Sequence, residues 1–458
     1  MDFKEIFWSK ERDNETPFEL DGKPSLKVAL PLALQHILAM FVGNIAPITI
    51  LVTVAGGAMG LDLSDKIFLV QMAMFASGIA TLIQLYPLGK IGARLPIVMG
   101  TSFSFLGVAI LVGFEHGIAG VFGAALVGSI VEIALGYVMP YIRKYFTPLI
   151  TGIVVLGIGF SLLDVGADYV AGGSAAKFAG EYGQWENLLI GLLTLLAMLL
   201  FNIFGKGMWK TSSILIGLVI GFLIALLPVF DMVDWSIVGD ADWFLIPTPF
   251  KFGMEFHFDA IFLFGAIYII TAIETVGDCS GVTLGGMGRE ATSEEITGSI
   301  LADAFGSSFA AVFNALPNTS FSQNVGIVSM TKVVSRYVVM FGAAFLIIAA
   351  FFPKFGALFL TIPTPVLGGV LVLIFGIIAV NGVKMIAQED LNGRNGLILA
   401  LAFGIGFGIT SVPDLTAAFA DGGIMDNGFL EWYFADPLIA AGLLAFFLNL
   451  ILPKDMDF

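Results

Sequence analysis

Charged residues are scarce in this chain. Asp, Glu, Lys and Arg make up 12% of its 458 residues, whereas hydrophobic residues make up 58%. A soluble protein has about 25% charged residues, and a water-soluble fold of this size needs them to cover its surface. The shortage excludes an ordinary cytosolic enzyme and a disordered protein, and it indicates an all-α protein that crosses a membrane many times.

Cysteine and positive charge are also in short supply. The single cysteine, Cys279, excludes a disulfide framework and a metal site built from several cysteines. The formal net charge of -15 disfavours a nucleic-acid partner. The enzyme motifs His-Glu-x-x-His and Gly-x-Ser-x-Gly do not occur. We therefore expect no enzyme activity, no cofactor and no metal.

Long apolar runs are the main feature that is present. A helix needs about 20 apolar residues to cross a hydrocarbon core of about 30 Å. Such runs predict fourteen spans, near 26–52, 65–88, 96–114, 117–138, 146–166, 187–205, 211–230, 259–281, 293–315, 317–333, 336–353, 363–383, 395–412 and 436–452. Residues 231–258 and 413–435 are expected to be external loops. Residues 1–25 are charged and lack a signal peptide's pattern, so we expect a cytoplasmic tail.

The basic residues give the predicted orientation. With the N-terminus inside, seventeen of the 21 Lys and Arg residues fall on the cytoplasmic side, and only Lys66, Lys177, Lys251 and Lys354 fall outside. Basic residues prefer cytoplasmic loops. Both termini are therefore predicted to be cytoplasmic. Seven spans plus seven of opposite orientation is typical of an inverted-repeat transporter.

Two predicted spans, the third and the tenth, are unlike ordinary lipid-facing helices. The segment Thr101-Ser102-Phe103-Ser104-Phe105 resembles Thr319-Ser320-Phe321-Ser322-Gln323, and each follows a Leu-Pro pair. Non-helical backbone at membrane depth is tolerated only where protein or a cavity surrounds it. We expect both spans to be broken into a short extended segment and a half-helix, whose N-termini bind polar substrate atoms. The alternative is that these small residues are packing positions.

Four carboxylates fall inside predicted spans: Glu132, Glu274, Asp278 and Asp303. An ionisable side chain in the hydrocarbon region is costly and indicates function by default. Glu274 and Asp278 share one helix face because they are four residues apart. Glu132 stands alone in span four, where a structural role is the simpler interpretation. His36, in the middle of span one, is either a satisfied interior residue or part of a polar network.

A ten-residue run carries a family resemblance. Gln323-Asn324-Val325-Gly326-Ile327-Val328-Ser329-Met330-Thr331-Lys332 resembles the signature of the nucleobase–ascorbate transporter family, also called nucleobase:cation symporter 2. That signature has Gln, Glu or Pro, then Asn-x-Gly, four free positions, Thr, and Arg, Lys or Gly. Gln35-His36 resembles the family's Gln-His motif. The spacing of Glu274, Asp278 and Asp303 is similar to that of the purine-transporting branch.

The resemblance implies roles for single residues. It implies that Glu274 and Gln323 bind substrate and that Asp278 and Asp303 serve coupling and hold the site. Asn324 and His36 would support that network. Because a purine dione is flat and rich in N–H and C=O groups, a carboxylate and an amide suit it. Phe103, Phe321 and Tyr268 are expected to supply a stacking wall for the substrate. Ser102 is expected to contact the edge of the substrate ring.

The resemblance also implies an architecture. A core domain would contain 26–138 (spans 1–4) and 259–353 (spans 8–11). A gate domain would contain 139–230 (spans 5–7) and 354–458 (spans 12–14). Family members resemble one another in being homodimers in the cell membrane that work by an elevator-type movement.

The residues of this chain narrow the expected substrate to a part of the family's range. Uracil-transporting relatives typically carry a histidine four residues after the span-eight glutamate, where this chain has Asp278. The residue therefore favours xanthine or uric acid, without separating the two. The many acids favour proton symport, with sodium as the alternative. A uracil permease, an anion exchanger of the same architecture and a channel are competing hypotheses, of which the anion exchanger would be expected to have a less acidic site.

Overall fold

The structure is a computed structural model that describes residues 16–142, 145, 147–230, 232–412, 434 and 436–453. The first fifteen residues of the predicted tail lie outside these ranges. So does the predicted loop at 413–435, apart from residue 434.

The described residues are mostly helical. The first half contains α1 (Leu26–Val54), α2 (Leu63–Leu85), β1 (Met99–Thr101), a 3-10 turn (Phe103–Phe105), α3 (Leu106–Ile142), α4 (Pro148–Ser161), α5 (Leu163–Val170), α6 (Gly173–Ala179), α7 (Trp185–Phe204), α8 (Met208–Thr211) and α9 (Ser213–Ala225). A short helix, α10 (Ser236–Asp240), lies in the predicted external loop.

In the second half, as in the first, two long helices precede a short strand. It contains α11 (Phe258–Met287), α12 (Ser293–Val312), β2 (Asn318–Ser320), α13 (Ser322–Thr331), α14 (Arg336–Ala350), α15 (Pro353–Leu360), α16 (Thr364–Ile386), α17 (Gly393–Leu401), a π-helical stretch (Ala402–Phe407), α18 (Gly408–Thr410) and α19 (Pro437–Ile451).

The multi-pass, all-α prediction is confirmed in its coarse form. Among the described residues, eight helical segments are long and apolar enough to cross a membrane. The number is nine if the bent pair α14–α15, which turns by 88°, counts as one span. The count of fourteen stays a prediction.

The shortfall has local causes. Helix α3 covers most of predicted spans three and four, but its backbone is non-helical at Gly117 (φ 68°, ψ -175°), where predicted span four begins, so the stretch is compatible with two spans. Predicted span ten contains only the ten-residue α13 after its strand. Helices α9 and α19 have 13 and 15 residues, less than a full crossing. Helix α12 carries two acids in its first turn as well as Asp303, which lowers its hydropathy.

The helices pack in two groups. Helices α1, α2, α3, α11, α12, α13 and α14 pack on one another, and α4, α5, α7, α9, α16 and α19 form the second group. Contacts of α11 with α4 and α19, and of α1 with α9, join the groups. The division into core and gate domains stays a prediction.

Two short strands meet inside the first group. Strands β1 and β2 pair antiparallel, with Gly100 opposite Thr319. Further backbone bonds extend the pair, from Ser102 N to the Pro317 carbonyl and from Phe321 N to the Val98 carbonyl, both at 2.9 Å. Extended backbone therefore lies in the buried interior with its polar groups paired.

Side-chain hydroxyls bond the outward backbone of each strand. Thr81 on α2 accepts from Met99 N at 3.0 Å and lies 3.2 Å from the Met99 carbonyl. Ser307 on α12 does the same for Asn318, at 3.0 and 2.9 Å. The helix that precedes each strand thus supplies a hydroxyl at the same relative place, as expected for related halves.

The close approach of the strands to Phe321 depends on Gly100. A Cβ atom at residue 100 would lie 2.3 Å from the Phe321 ring and 3.0 Å from Asn44 Oδ1. We expect Gly100→Ala to lower the free energy of unfolding by about 1–3 kcal/mol, the usual range for overpacking. The measurement is thermal unfolding of the purified protein in detergent.

The matched control is Gly376→Ala in α16, where an added Cβ meets no atom within 4 Å. It should leave the midpoint unchanged or raise it, because alanine favours helix over glycine. Equal midpoints for the two variants would contradict the importance of this approach.

Candidate functional site

Three helix starts or ends set the positions of the polar side chains. Helix α12 begins with a capping box in which Thr292 and Glu295 bond each other's backbone N–H groups. Helix α11 ends at Gly288 in the left-handed region (φ 68°). Helix α13 begins directly after β2, so that its signature residues follow the strand without a loop.

A cavity lies between the two groups of helices, at the ends of the paired strands. The first group contributes the strand ends, the 3-10 turn, the start of α13 and Glu274, while α4 and α16 contribute the opposite wall. Its lining residues are Thr101, Ser102, Phe103, Ser104, Val155, Ile158, Glu274, Thr319, Ser320, Phe321, Ser322, Gln323, Ile378 and Asn381. The cavity volume is about 30 Å³.

Five of the predicted substrate residues line this cavity: Glu274, Gln323, Phe103, Phe321 and Ser102. Ser104 donates a long hydrogen bond of 3.4 Å to Glu274 Oε2. That single weak contact leaves most of the carboxylate's acceptor capacity for a ligand. Gln323 is the second residue of α13, so it lies beside the helix's free N–H groups.

The two phenylalanines differ in their surroundings. The Phe103 ring packs edge-to-face with Phe375 of α16 at 5.2 Å between centroids, across the boundary between the two groups. The Phe321 ring lies against the backbone near Gly43 and Gly100. Ser102 is buried, and its Oγ accepts from Ser104 N at 3.2 Å. The ring-edge role of Ser102 stays a prediction.

The tyrosine does not share this position. Tyr268 is fully buried, donates to the Ala125 carbonyl at 2.9 Å and packs on Phe105 with 4.6 Å between ring centroids. It is not among the residues that line the cavity. Its hydroxyl needs a buried acceptor, and α3 supplies one, so the ring lies between α11 and α3. In this position Tyr268 packs the interior, and the stacking role expected of it stays a prediction.

The two aspartates lie behind the cavity wall. Asp278 accepts from the Ser320 and Ser322 hydroxyls, both at 2.7 Å, so one carboxylate joins the end of β2 to the start of α13. Asp303 accepts from Thr275, and from Thr319 at 3.4 Å. Both side chains are buried. They hold β2 and α13 against α11 and α12.

An amide–imidazole contact holds the other side of α13. Asn324 Nδ2 lies 3.1 Å from His36 Nδ1 and donates to the His36 carbonyl at 3.0 Å. Because Nδ1 then accepts, the ring proton resides on Nε2. The contact joins the signature helix to α1, as the predicted supporting role requires.

Sequence reasoning missed two polar side chains. Asn381 lines the cavity from α16, in the second group. Asn44 on α1 accepts at Oδ1 from Thr101 N (2.8 Å), Thr101 Oγ1 (3.1 Å) and Ser77 (2.5 Å). Both are amides inside long apolar helices, and that contrast with their apolar neighbours was the available signal.

One group of metal-ligating side chains lies away from the cavity. Among the described residues, Glu115, His116 and Asp259 bring one ligand atom each to within 4.8 Å of one another. His116 already bonds Asp259 at 2.7 Å. None of the three lines the cavity.

The buried polar cavity between two groups of apolar helices defines a multi-pass membrane transport protein. The model of the Permease family, that of the xanthine and uracil permeases, matches residues 27–415. The chain belongs to this family, whose members are permeases and not enzymes.

Curated relatives agree with this assignment. The chain is 35% identical to the xanthine permease XanQ of Escherichia coli over 449 residues, which cover 95% of this chain and 93% of that one. It is 32% identical to the xanthine permease XanP of Escherichia coli over 463 residues, covering 97% and 96%. It is 34% identical to the uric acid permease PucK of Bacillus subtilis over 391 residues, covering 84% and 87%.

Solved structures resemble the fold at low identity. The murine anion transporter Slc26a9 in its inward-facing state has a TM-score of 0.54 at 12% identity, covering 98% of this chain and 74% of that one. A likeness at this identity shows a shared fold and does not favour an anion as substrate.

The Asn324–His36 contact yields a prediction about how the effects of two substitutions on stability combine. We expect Asn324→Ala and His36→Ala each to destabilise the protein. The double variant should lose less than the sum, by about 0.5–3 kcal/mol, as is usual for residues in one hydrogen-bond network. Thermal unfolding of the two single variants and the double variant measures this.

The control pairs Asn324→Ala with Asn187→Ala, a buried side chain on α7 that bonds the Glu181 carbonyl at 3.1 Å. These two losses should add. Additive losses for the Asn324–His36 pair would show that the contact contributes nothing of its own.

Proposed function

We propose that this permease imports a purine nucleobase, xanthine or uric acid, across the cell membrane by proton symport. The observation that carries the proposal is the cavity in which Glu274 and Gln323 lie beside the start of α13. The names of the relatives, two xanthine permeases and a uric acid permease, support the substrate class.

The chemistry of the cavity suits a purine dione. The Glu274 carboxylate accepts from ring N–H groups, and the Gln323 amide offers one acceptor and two donors to an adjacent N–H and C=O. The free backbone N–H groups of α13 favour the remaining carbonyl oxygens. Phe103 and Phe321 cover the ring faces. Asn381 adds an amide from the opposite wall, beyond the residues that the sequence alone suggested.

The balance of polar contacts favours a purine over a uracil or an inorganic anion. Asp278 stands where uracil-transporting relatives typically carry histidine, and here it accepts from two serines. Among the described residues that line the cavity, Glu274 is the one ionisable side chain and none is cationic. A small anion in such a site would meet a negative charge without compensation.

We infer that transport requires the two groups of helices to move relative to each other. A cavity of about 30 Å³ holds roughly one water molecule, so a purine enters only after the walls separate. The first group of helices carries the acids, the 3-10 turn and the start of α13, while the opposite wall from α4 and α16 is mostly apolar. An elevator-type movement of the first group along that wall fits this division. We also retain the fourteen-span inverted repeat with broken third and tenth spans, cytoplasmic termini and a homodimer.

The coupled ion is proposed to be the proton because acids without cationic partners surround the site. Among the recorded ion pairs of the described residues, none involves Glu274, Asp278 or Asp303. A buried carboxylate without a cation is stabilised by taking up a proton. Uptake driven by a sodium gradient, with no proton gradient present, would exclude the proton and leave the substrate proposal intact.

Replacing the central carboxylate tests the substrate site. We expect Glu274→Gln to weaken binding of xanthine or uric acid about 10–100-fold, the loss that accompanies one charge-assisted hydrogen bond. Labelled xanthine, uric acid and uracil are offered to proteoliposomes at several pH values, and binding and uptake are measured.

The control is Glu290→Gln, an exposed side chain outside the cavity, which should transport as the wild type does. Wild-type affinity in Glu274→Gln, or uptake of none of the three nucleobases by the wild type, would contradict the proposed function.

A further inference from the structure

Glu132 is a buried acid that the proposed substrate site does not use. It lies on α3, its side chain is fully buried, and it is absent from the cavity lining. Its Oε2 atom has no hydrogen-bond partner among the described residues. Its Oε1 atom lies 3.1 Å from the hydroxyl of Thr271 on α11.

The single partner of Glu132 has other acceptors for its proton. Thr271 Oγ1 also lies 3.4 Å from the Ile267 carbonyl and 3.3 Å from the Tyr268 carbonyl. When the Thr271 hydroxyl donates to its own helix, its oxygen is free to accept from a protonated Glu132. A Glu132 carboxylate would instead be buried with one hydroxyl donor, which is a costly state.

Asp303 has the opposite environment. It accepts from the hydroxyls of Thr275 and Thr319 and from the backbone N–H of Ser320. Asp303 therefore has more hydrogen-bond donors than Glu132. One of its oxygens, Oδ1, lacks a hydrogen-bond partner in the part of the chain that the structure describes. Each of the two acids thus has one buried oxygen that is open to a proton.

The hydrogen-bond partners of the two acids are neighbours. Thr271, which bonds Glu132, and Thr275, which bonds Asp303, lie four residues apart on one face of α11. Glu132 also interacts electrostatically with Asp303 on α12 and with Glu274 on α11. Asp278, further along α11, interacts with both Glu274 and Asp303. Tyr268 is the other ionisable group beside Glu132. No recorded ion pair of the described residues brings a cation to Glu132.

We propose that Glu132 stores a proton that it exchanges with Asp303 during transport. With the proton on Glu132, its carboxyl donates to Thr271 and Asp303 is the carboxylate. In the exchange, the O–H bond at Glu132 breaks and an O–H bond forms at Asp303, whose Oδ1 has no hydrogen-bond partner among the described residues. The pair thus passes one proton between its two carboxyl groups and releases none. The inference rests on the proposed proton symport and adds a second titrating residue, outside the substrate cavity.

The test is Glu132→Gln, which keeps the shape and a donor toward Thr271 but cannot exchange a proton. We expect the variant to retain xanthine counterflow, which needs no net proton movement, and to lose accumulation driven by a pH gradient. Thr271→Val, which removes the partner hydroxyl, should reduce accumulation in the same direction. The control is Ser129→Ala, on the same helix three residues away, where the hydroxyl bonds Leu126 and Ser308 at 2.7 Å and no acid. It should preserve both activities.

Infrared difference spectroscopy supplies a readout that does not depend on transport. Wild-type protein should show a protonated-carboxyl band that changes when xanthine binds, that shifts in Thr271→Val and that is missing in Glu132→Gln. If Glu132→Gln fails to fold, the shift in Thr271→Val decides the matter.

Two outcomes overturn the inference separately from the proposed function. If the wild type and Glu132→Gln accumulate xanthine equally, Glu132 is structural. The same conclusion follows if the carboxyl band changes neither when xanthine binds nor in Thr271→Val. A wild type that never accumulates purine in a pH gradient overturns proton symport, and the inference with it.

Discussion

The antiparallel pairing of 99–101 with 318–320 is the interaction on which the site depends. A backbone polar group without a partner in the interior of a membrane protein costs several kcal/mol, so extended chain survives there only if every such group is bonded. The two segments satisfy each other, and Thr81, Ser307 and Asn44 bond the groups that face away from the pair. Two helix starts are thereby brought to one place, and the cavity lies at that place.

The two halves of the site are related in position but differ in charge. The first strand is bonded by neutral side chains, Asn44 at Thr101 and Thr81 at Met99. The second strand has a neutral partner in Ser307 and, in addition, two carboxylates, because Asp278 and Asp303 accept from residues of β2 and from the start of α13. Under the proposed proton coupling, protonation of Asp278 would therefore change the contacts of the signature helix.

The wall opposite the strands has a different character. Val155, Ile158 and Ile378 present an apolar surface, and among the described residues of this wall Asn381 is the one polar side chain that lines the cavity. An apolar wall makes few directional contacts, which is compatible with the proposed movement of the first group of helices along it. The edge-to-face contact of Phe103 with Phe375 crosses the same boundary. In the proposed complex, the strand side of the cavity supplies most directional contacts to the substrate, and both sides enclose it.

Much of the site was predictable because a polar or ionisable residue in an apolar run is conspicuous. Glu274, Gln323, Ser102, Phe103 and Phe321 all line the cavity. The bond from the Tyr268 hydroxyl to the Ala125 carbonyl was not predictable, because a position along α11 does not reveal which neighbour the hydroxyl meets. The span count was harder, since hydropathy measures composition whereas kinks, short half-helices and an 88° bend depend on packing.

The sequence by itself determined that this is a helical membrane protein, which family it resembles and which acids are buried. Those properties follow from composition and from local spacing along single helices. Only the tertiary structure decided which segments pair, that Asn381 and Glu274 line the same cavity and that the hydroxyl of Thr271 bonds Glu132. These relations join residues far apart in the chain, and hydrogen bonding in a water-free interior selects them after the helices have packed.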